Sequence, residues 1–153
     1  MDSLKLKIPP LVLVVITLVM MKAISTLLPT SPTLANLPLL LPIVLVGIGG
    51  AVMVAGVFEF RRKKTTVNPM LKTASSALVS GGVYRFTRNP MYLGMLCILM
   101  AAALLWNSVY ALLGCVFFVL YMNVFQISPE EDYLTELFPD SYPAYKARVR
   151  RWL

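Results

Sequence analysis

Histidine is absent from this sequence, and acidic residues are scarce: 7 Asp plus Glu accompany 14 Lys plus Arg in a chain of 153 residues. Without histidine the chain cannot form a Ser-His-Asp triad, a Cys-His pair or a His-ligated metal site. The two cysteines, Cys97 and Cys115, lie inside apolar runs without CxxC spacing. We interpret them as small apolar side chains, and we expect no metal centre.

Charge of either sign is rare. Charged residues make up 14% of the chain and hydrophobic residues 58%, whereas soluble domains average roughly 25% and about 45–50%. This composition excludes a disordered chain, a coiled coil and an ordinary soluble enzyme. The length predicts one domain covering residues 1–153. Because the basic residues flank apolar runs, we expect them to face anionic lipid headgroups and not nucleic acid.

Four apolar stretches approach the roughly 20 residues that a helix needs to cross a hydrocarbon core of about 30 Å. They cover residues 8–28, 38–60, 90–107 and 108–127. The first is too long for the apolar part of a signal peptide, and no cleavage motif follows it. The sequence therefore predicts an all-α integral membrane protein. It would have four transmembrane helices, a cytoplasmic loop and C-terminal amphipathic helices.

Basic residues are placed unevenly between these spans. Lys5 and Lys7 precede the first span, and the loop between the second and third spans is basic without any acid, whereas the other two links carry no charge. The positive-inside rule then places both termini and the basic loop in the cytoplasm. The basic residues of that loop are Arg61, Arg62, Lys63, Lys64, Lys72, Arg85 and Arg88.

The second span contains small residues at four-residue spacing. Gly47, Ala51 and Ala55 recur on one helix face, and small residues let helix backbones approach closely in lipid. This face is predicted to pack against a helix, either within the chain or across a homodimer.

A polar segment leads into the third span. Its Gly81-Gly82 pair indicates a turn with positive φ, or a close approach of the backbone to a ligand. A purely structural interpretation is also open. Asn89 could cap the next helix with Pro90 in its first turn, and the nearby arginines could bind lipid phosphates. Tyr84 and Tyr92 could lie in an interfacial aromatic belt.

A second polar segment follows the fourth span. The spacing of Ser128 and Glu131, with Pro129 between them, predicts a capping box that begins a new helix. Glu130 is not needed for that cap, so it is the freer carboxylate. Further on, aromatic and basic residues alternate from Tyr142 to Trp152, a pattern typical of an amphipathic segment lying on headgroups.

Three features occur in a fixed order: LVSGGVY at 78–84, RNPMYLG at 88–94, and the Glu130-Glu131 pair followed by an aromatic segment at 138–149. In order and spacing they resemble the isoprenylcysteine carboxyl methyltransferase and phospholipid methyltransferase superfamily of integral membrane enzymes. The resemblance covers about residues 60–153. Asn89 replaces the family histidine, and Pro139 replaces a glycine. Gln126 stands where the isoprenylcysteine enzymes carry an arginine that contacts substrate.

The resemblance implies that S-adenosylmethionine binds on the cytoplasmic side, between the last two spans and the tail, and leaves as S-adenosylhomocysteine. It implies Glu130, Arg88 and Tyr92 as catalytic residues and Gln126 as a substrate contact. The implied cofactor-binding residues are Ala77, Leu78, Val79, Tyr84, Asn89, Pro90, Met91, Tyr92 and Glu130.

Three functions remain open. The first is a methyltransferase like the isoprenylcysteine enzymes, acting on a lipophilic small molecule or a lipid. The second is a phosphatidylethanolamine N-methyltransferase. The third is a non-catalytic membrane protein that retains the fold, which the replacement by Asn89 favours. Membrane lipids are the expected partners, and the compact length with the Asn-Pro variant favours a bacterial inner membrane.

Overall fold

A computed structural model describes residues 5–63 and 77–153. Over these residues every regular element is helical and no strand occurs, as the composition predicts. Lys64 and Lys72 of the predicted basic loop lie outside the described residues.

Two long helices and one short one form the first half of the chain. Helix α1 covers Pro10–Leu27, and its proline occupies the first turn, where a missing N–H is tolerated. Helix α2, Pro32–Ala35, is a single turn in the uncharged link. Helix α3 covers Leu40–Arg62. Both long helices match the predicted spans to within two residues.

The second half begins with a 3-10 turn at Gly82–Arg85, followed by helix α4 at Pro90–Leu105. The remaining elements follow with few interruptions. They are helix α5 at Leu112–Tyr121, a π-helical segment at Met122–Ile127, helix α6 at Ser128–Leu137 and helix α7 at Ser141–Arg148.

Three helical stretches are long and apolar enough to cross a membrane: Pro10–Leu27, Leu40–Arg62 and the continuous stretch Leu112–Leu137. Helix α4 is apolar too, but it has only 16 residues and spans about 24 Å, against about 30 Å of hydrocarbon. The prediction of a helical membrane protein is therefore supported. The full-length third span predicted at 90–107 is not, because the helix ends at Leu105.

Many outward-facing side chains on these helices are large and apolar. Val54 is 69% exposed and Leu120 is 60% exposed. A soluble protein rarely exposes contiguous apolar surface of this kind, whereas hydrocarbon covers it without cost. The exterior of the bundle therefore agrees with a lipid environment.

Backbone hydrogen bonds show which chain segments share an end of the bundle. The Leu6 N–H donates to the Phe125 carbonyl at 3.0 Å, and the Ser31 N–H donates to the Asn107 carbonyl at 2.7 Å. The N-terminal segment thus lies beside the π-helical segment, and the two uncharged links meet at the opposite end.

Glycines allow α3 and α4 to pack closely. A Cβ added to Gly49 would lie 2.7 Å from the Gly94 carbonyl oxygen, whereas one added to Gly47 would meet nothing within 4 Å. Gly47 and Ala51 are exposed. The close contact with α4 therefore uses Gly49 and not the predicted stripe, and a homodimer through Gly47, Ala51 and Ala55 stays a prediction.

We expect Gly49→Ala to lower the free energy of unfolding by about 1–3 kcal/mol, because the methyl group forces the two backbones apart. Thermal unfolding in detergent measures the change. Gly47→Ala is the matched control, with the same substitution on the same helix in open space. It should leave the transition in place or raise it slightly, because Ala favours the helix over Gly. Equal losses in both variants would show that the close approach to α4 does not set the cost.

The predicted capping box at Ser128 is wrong, because α6 continues directly from the helical segment Met122–Ile127 and no side chain caps its start. Ser128 has helical angles of φ −60° and ψ −47°, and its hydroxyl donates back to the Asn123 carbonyl at 2.7 Å. Pro129 has no N–H to donate to the Phe125 carbonyl four residues earlier. The Leu6 N–H supplies that bond instead, so the helix continues through the proline.

Candidate active site

A cleft opens at the end of the bundle where α4 begins and α6 and α7 pack together. It encloses about 820 Å³ of empty space, a figure that includes the open solvent at its mouth. Its lining is mainly apolar and aromatic with a few charged groups. The lining residues are Phe60, Ala77, Leu78, Val79, Tyr84, Arg88, Asn89, Pro90, Met91, Tyr92, Ile127, Glu130, Glu131, Leu134, Phe138, Tyr142 and Tyr145.

Every predicted cofactor-binding residue, from Ala77 to Glu130, borders this one cleft, and so does Arg88. The segment before α4 and the acidic pair on α6 therefore meet in space, as the resemblance implied. Gln126 is not part of the cleft wall. It is buried behind Glu130 and contacts that carboxylate.

The Glu130 carboxylate is held through one of its two oxygens. Its Oε1 accepts from the Tyr92 hydroxyl at 2.7 Å and from the Gln126 amide at 2.6 Å. The other oxygen, Oε2, has no hydrogen bond to any described residue, although Glu130 borders the cleft. One oxygen thus fixes the side chain, and the second remains free to accept from a ligand.

The 3-10 turn at Gly82–Arg85 carries Tyr84 into the cleft wall. Gly82 begins the turn with φ +55°, so the sequence prediction of a positive-φ glycine is confirmed. The Tyr145 hydroxyl donates to the Tyr84 carbonyl at 2.7 Å, and the Tyr84 ring meets Phe60 edge-on at 5.6 Å. Only 5% of Tyr84 is exposed, so its assignment to an interfacial belt is wrong.

Burial also decides how the cleft tyrosines titrate. Desolvation raises the pKa of Tyr84 and that of Tyr145 well above the ordinary value of a phenol, and it raises the pKa of Tyr142 to about 12. Phenols are already neutral near pH 7, and the raised pKa values extend this neutral, hydrogen-bond-donating form to more alkaline pH.

Glu131 is the centre of an ion-pair cluster. Its carboxylate contacts Arg88 Nη2 at 2.6 Å, Arg151 Nη2 at 2.8 Å and Lys146 Nζ at 3.1 Å. The hydrogen bonds to Glu131 raise the pKa of Arg151. Four parts of the chain meet at this carboxylate: the segment before α4, helix α6, helix α7 and the C-terminal segment.

Arg88 also holds the end of α7. Its Nη1 donates to the Lys146 carbonyl at 2.9 Å and to the Val149 carbonyl at 2.8 Å, which supplies partners for carbonyls that a helix end leaves open. Its Nε is buried without a partner among the described residues. With only 9% of its side chain exposed, Arg88 does not bind lipid phosphates from the surface.

Asn89 occupies the predicted N-cap position of α4 but does not cap the helix with its side chain. Its Nδ2 donates to the Arg151 carbonyl at 2.9 Å, and the Thr87 hydroxyl donates to the same carbonyl at 3.3 Å. The Trp152 indole N–H donates to Asn123 Oδ1 at 3.0 Å. The C-terminal segment is thereby held against both the entry to α4 and the π-helical segment.

Several cleft residues, chiefly the tyrosines of α7, were not predicted from the sequence. Tyr142 and Tyr145 are 2% and 4% exposed and pack against the cleft, so the prediction that they face headgroups is wrong. Lys146 and Arg148 are exposed. The three-residue spacing of the tyrosines indicated a common helix face, but not that this face points inward.

The long apolar helices, with a cleft of ionisable residues at one end, are the features of a membrane protein. The model of the phospholipid methyltransferase family matches residues 37–141. The chain therefore belongs to that family, and the superfamily resemblance is confirmed. An uncharacterised protein of Haemophilus influenzae is 49% identical over 63 residues, which cover 41% of this chain and 100% of that protein. No solved structure matches the chain.

Proposed function

We propose that this protein transfers a methyl group from S-adenosylmethionine to a lipophilic substrate within the cleft. One observation carries the proposal: two segments far apart in sequence converge on a single cleft around the free oxygen of Glu130. Membership of a family of membrane methyltransferases supports the reaction class.

The residues of the cleft suit this cofactor in charge and shape. S-adenosylmethionine carries a sulfonium, an ammonium, a carboxylate and a ribose, and groups of complementary chemistry line the cleft. Glu130 Oε2 can accept from an ammonium or a hydroxyl, the Arg88 guanidinium is of the right charge for a carboxylate, and Tyr84 or Tyr92 can face the sulfonium. Backbone groups at 77–79 can contact the adenine edge.

When bound, the cofactor supplies an activated methyl group, so the protein is left with orientation and exclusion of water. Tyr92 and Gln126 orient Glu130 through its Oε1. The apolar side chains of Ile127, Leu134 and Phe138 border the same cleft and keep water from it.

The cleft offers few groups that could remove a proton. The chain has no histidine, and burial holds the phenol of Tyr84 neutral by raising its pKa. Glu130, with its free oxygen, is the remaining candidate for a base, and a carboxylate is a weak one. The shortage of strong bases favours a nucleophile that is already anionic, or an amine that loses its proton before it binds.

Three candidates remain for the methyl acceptor and the function it defines. We rank first a lipophilic substrate like those of the isoprenylcysteine enzymes. The second candidate is N-methylation of phosphatidylethanolamine, which the description of the matching family favours. The third is a non-catalytic protein, favoured by Asn89, although Asn89 still forms a hydrogen bond to Arg151.

We further propose that the cleft and both termini face the cytoplasm of a bacterium, across its inner membrane. Arg61 and Arg62 form the end of α3 near the cleft, and Lys63 follows directly. Anionic lipids and the positive-inside rule favour the cytoplasmic side for such residues. The bacterial relative supports the choice of organism class.

Calorimetric titration of the detergent-purified protein with S-adenosylmethionine tests the proposal. We expect saturable binding, and then transfer of radiolabelled methyl groups into a lipid extract or a prenylcysteine analogue. Absence of binding would rule out both enzyme functions. Label found only in derivatives of phosphatidylethanolamine would place the second candidate above the first.

Tyr92→Phe is expected to weaken cofactor binding about tenfold, because Glu130 loses one of the two donors that orient it. The thermal transition should move little, since the ring remains in place. Tyr110→Phe is the matched control, as Tyr110 is 41% exposed and lies outside the cleft. Equal loss of binding and stability in Tyr92→Phe would make Tyr92 a packing residue only.

A further inference from the structure

Glu59 is a buried acid in an apolar helix. It lies in the last turn of α3 and is only 6% exposed. Burying a carboxylate is costly unless ion pairs and hydrogen bonds compensate for the lost hydration. Its position therefore requires a reason.

Pairing within α3 does not supply that reason. Among the described residues, the ion-pair partner of Glu59 is Arg62, whose Nη1 lies 3.8 Å from Oε1. The Arg62 side chain is 62% exposed, so the contact is long and screened by solvent. The second oxygen, Oε2, is buried with no hydrogen-bond partner in the described residues.

The carboxylate instead packs against the backbone of the Gly81-Gly82 pair. A Cβ added to Gly81 would lie 3.4 Å from Oε2, and one added to Gly82 would overlap with the carboxylate itself. Since Gly82 also has φ +55°, only glycine fits this position without strain. The close approach that the glycine pair indicated is to the side chain of Glu59.

The same turn places Tyr84 in the cleft wall. The Tyr84 carbonyl accepts a hydrogen bond from the Tyr145 hydroxyl. The Tyr84 ring contacts the ring of Phe60, the residue that follows Glu59. The contact between Glu59 and the turn is therefore one of shape, with the carboxylate lying against the Gly82 backbone where any larger residue would overlap with it.

We propose that Glu59 is a positioning residue of the candidate active site. Its carboxylate seats the Gly81-Gly82 turn on α3, and the turn in turn holds Tyr84 in the cleft wall. The inference rests on the proposed function only where it concerns cofactor affinity. The placement of Tyr84 can be tested without any ligand.

Fluorine NMR of protein labelled with 3-fluorotyrosine tests the placement. The chain has 7 tyrosines, and Tyr84→Phe identifies the signal of Tyr84. In Glu59→Ala we expect that signal to shift and the affinity for S-adenosylmethionine to fall at least about fivefold. Glu59→Gln keeps the shape and one acceptor oxygen, so it should restore the signal to its original position.

Met21→Ala controls for loss of stability, because Met21 is fully buried in α1 outside the cleft. It should lower the thermal transition and leave the Tyr84 signal in place. An unchanged signal in folded Glu59→Ala, or an equal shift in Met21→Ala, would overturn the proposal.

If Glu59→Ala does not fold, the glycine pair gives a second test. Gly82→Ala places a methyl group against the carboxylate and should shift the Tyr84 signal more than Gly81→Ala does. Equal small effects would again overturn the proposal. Failure of the wild type to bind S-adenosylmethionine would instead contradict the proposed function, and the fluorine signals would still test Glu59.

Discussion

Glu130→Gln is expected to weaken the binding of S-adenosylmethionine by about 30-fold or more, the largest effect among the cleft variants. Oε1 accepts from two donors, Tyr92 and Gln126. An amide must therefore place its oxygen there and turn its NH₂ group toward the cleft. The ligand then loses its acceptor and meets a donor, and hydrogen bonds to charged groups are worth roughly 1.5–3 kcal/mol.

Calorimetric titration of Glu130→Gln measures the affinity, and thermal unfolding checks that the bundle is intact. Asp132→Asn is the matched control. It removes one negative charge two residues further along α6 from an exposed side chain, and we expect it to bind as the wild type does. Equal weakening in both variants would point to the overall charge of the cleft end and not to a contact made by Glu130.

Glu131→Ala should cause the largest loss of stability. It leaves two partly buried guanidinium groups, those of Arg88 and Arg151, without their counter-ion. Removing one partner of a buried ion pair costs about 3–5 kcal/mol, and the exposure of Lys146 and part of Arg151 places this cluster near the lower end. Hydrogen exchange should show lost protection in α7 and the C-terminal segment before the rest of the bundle.

The matched control is Glu136→Ala on the same helix, since Glu136 is exposed. It should leave both the thermal transition and the exchange of α7 unchanged. Glu131→Gln should lie between the two, because the amide oxygen can still accept from one arginine. Retained protection of α7 in Glu131→Ala would mean that Tyr142 and Tyr145 alone dock that helix.

The apolar helices could be predicted from sequence because their signal is local. In lipid, a run such as 8–28 can pair its backbone N–H and C=O groups within itself only as a helix. The observed α1, Pro10–Leu27, agrees closely with this prediction. The shortened α4 was less predictable. Its apolar run continues through Trp106, but Asn107 takes a left-handed φ of 49°, which ends the helix. The Asn107 carbonyl then accepts from the Ser31 N–H in the link between the first two long helices.

The cleft was predictable only as a set of residues. The order of the LVSGGVY and RNPMYLG segments and the acidic pair indicated which positions would meet, and the structure brings them together. The partners of those residues were not predictable. The rule that interprets Ser128 and Glu131 as a capping box uses four residues, whereas the contacts of Glu131 come from residues 20 and 43 positions away.

Hydropathy and charge act over a few neighbouring residues, so they were enough to predict the membrane character and the separation of basic from uncharged links. Most cleft residues came instead from the family resemblance. Packing of the helices was needed to show that Glu131 is an ion-pair centre, that Glu130 keeps a free oxygen, and that Tyr142 faces inward. Those roles depend on which distant donors surround each side chain once the helices pack, and no local pattern encodes that.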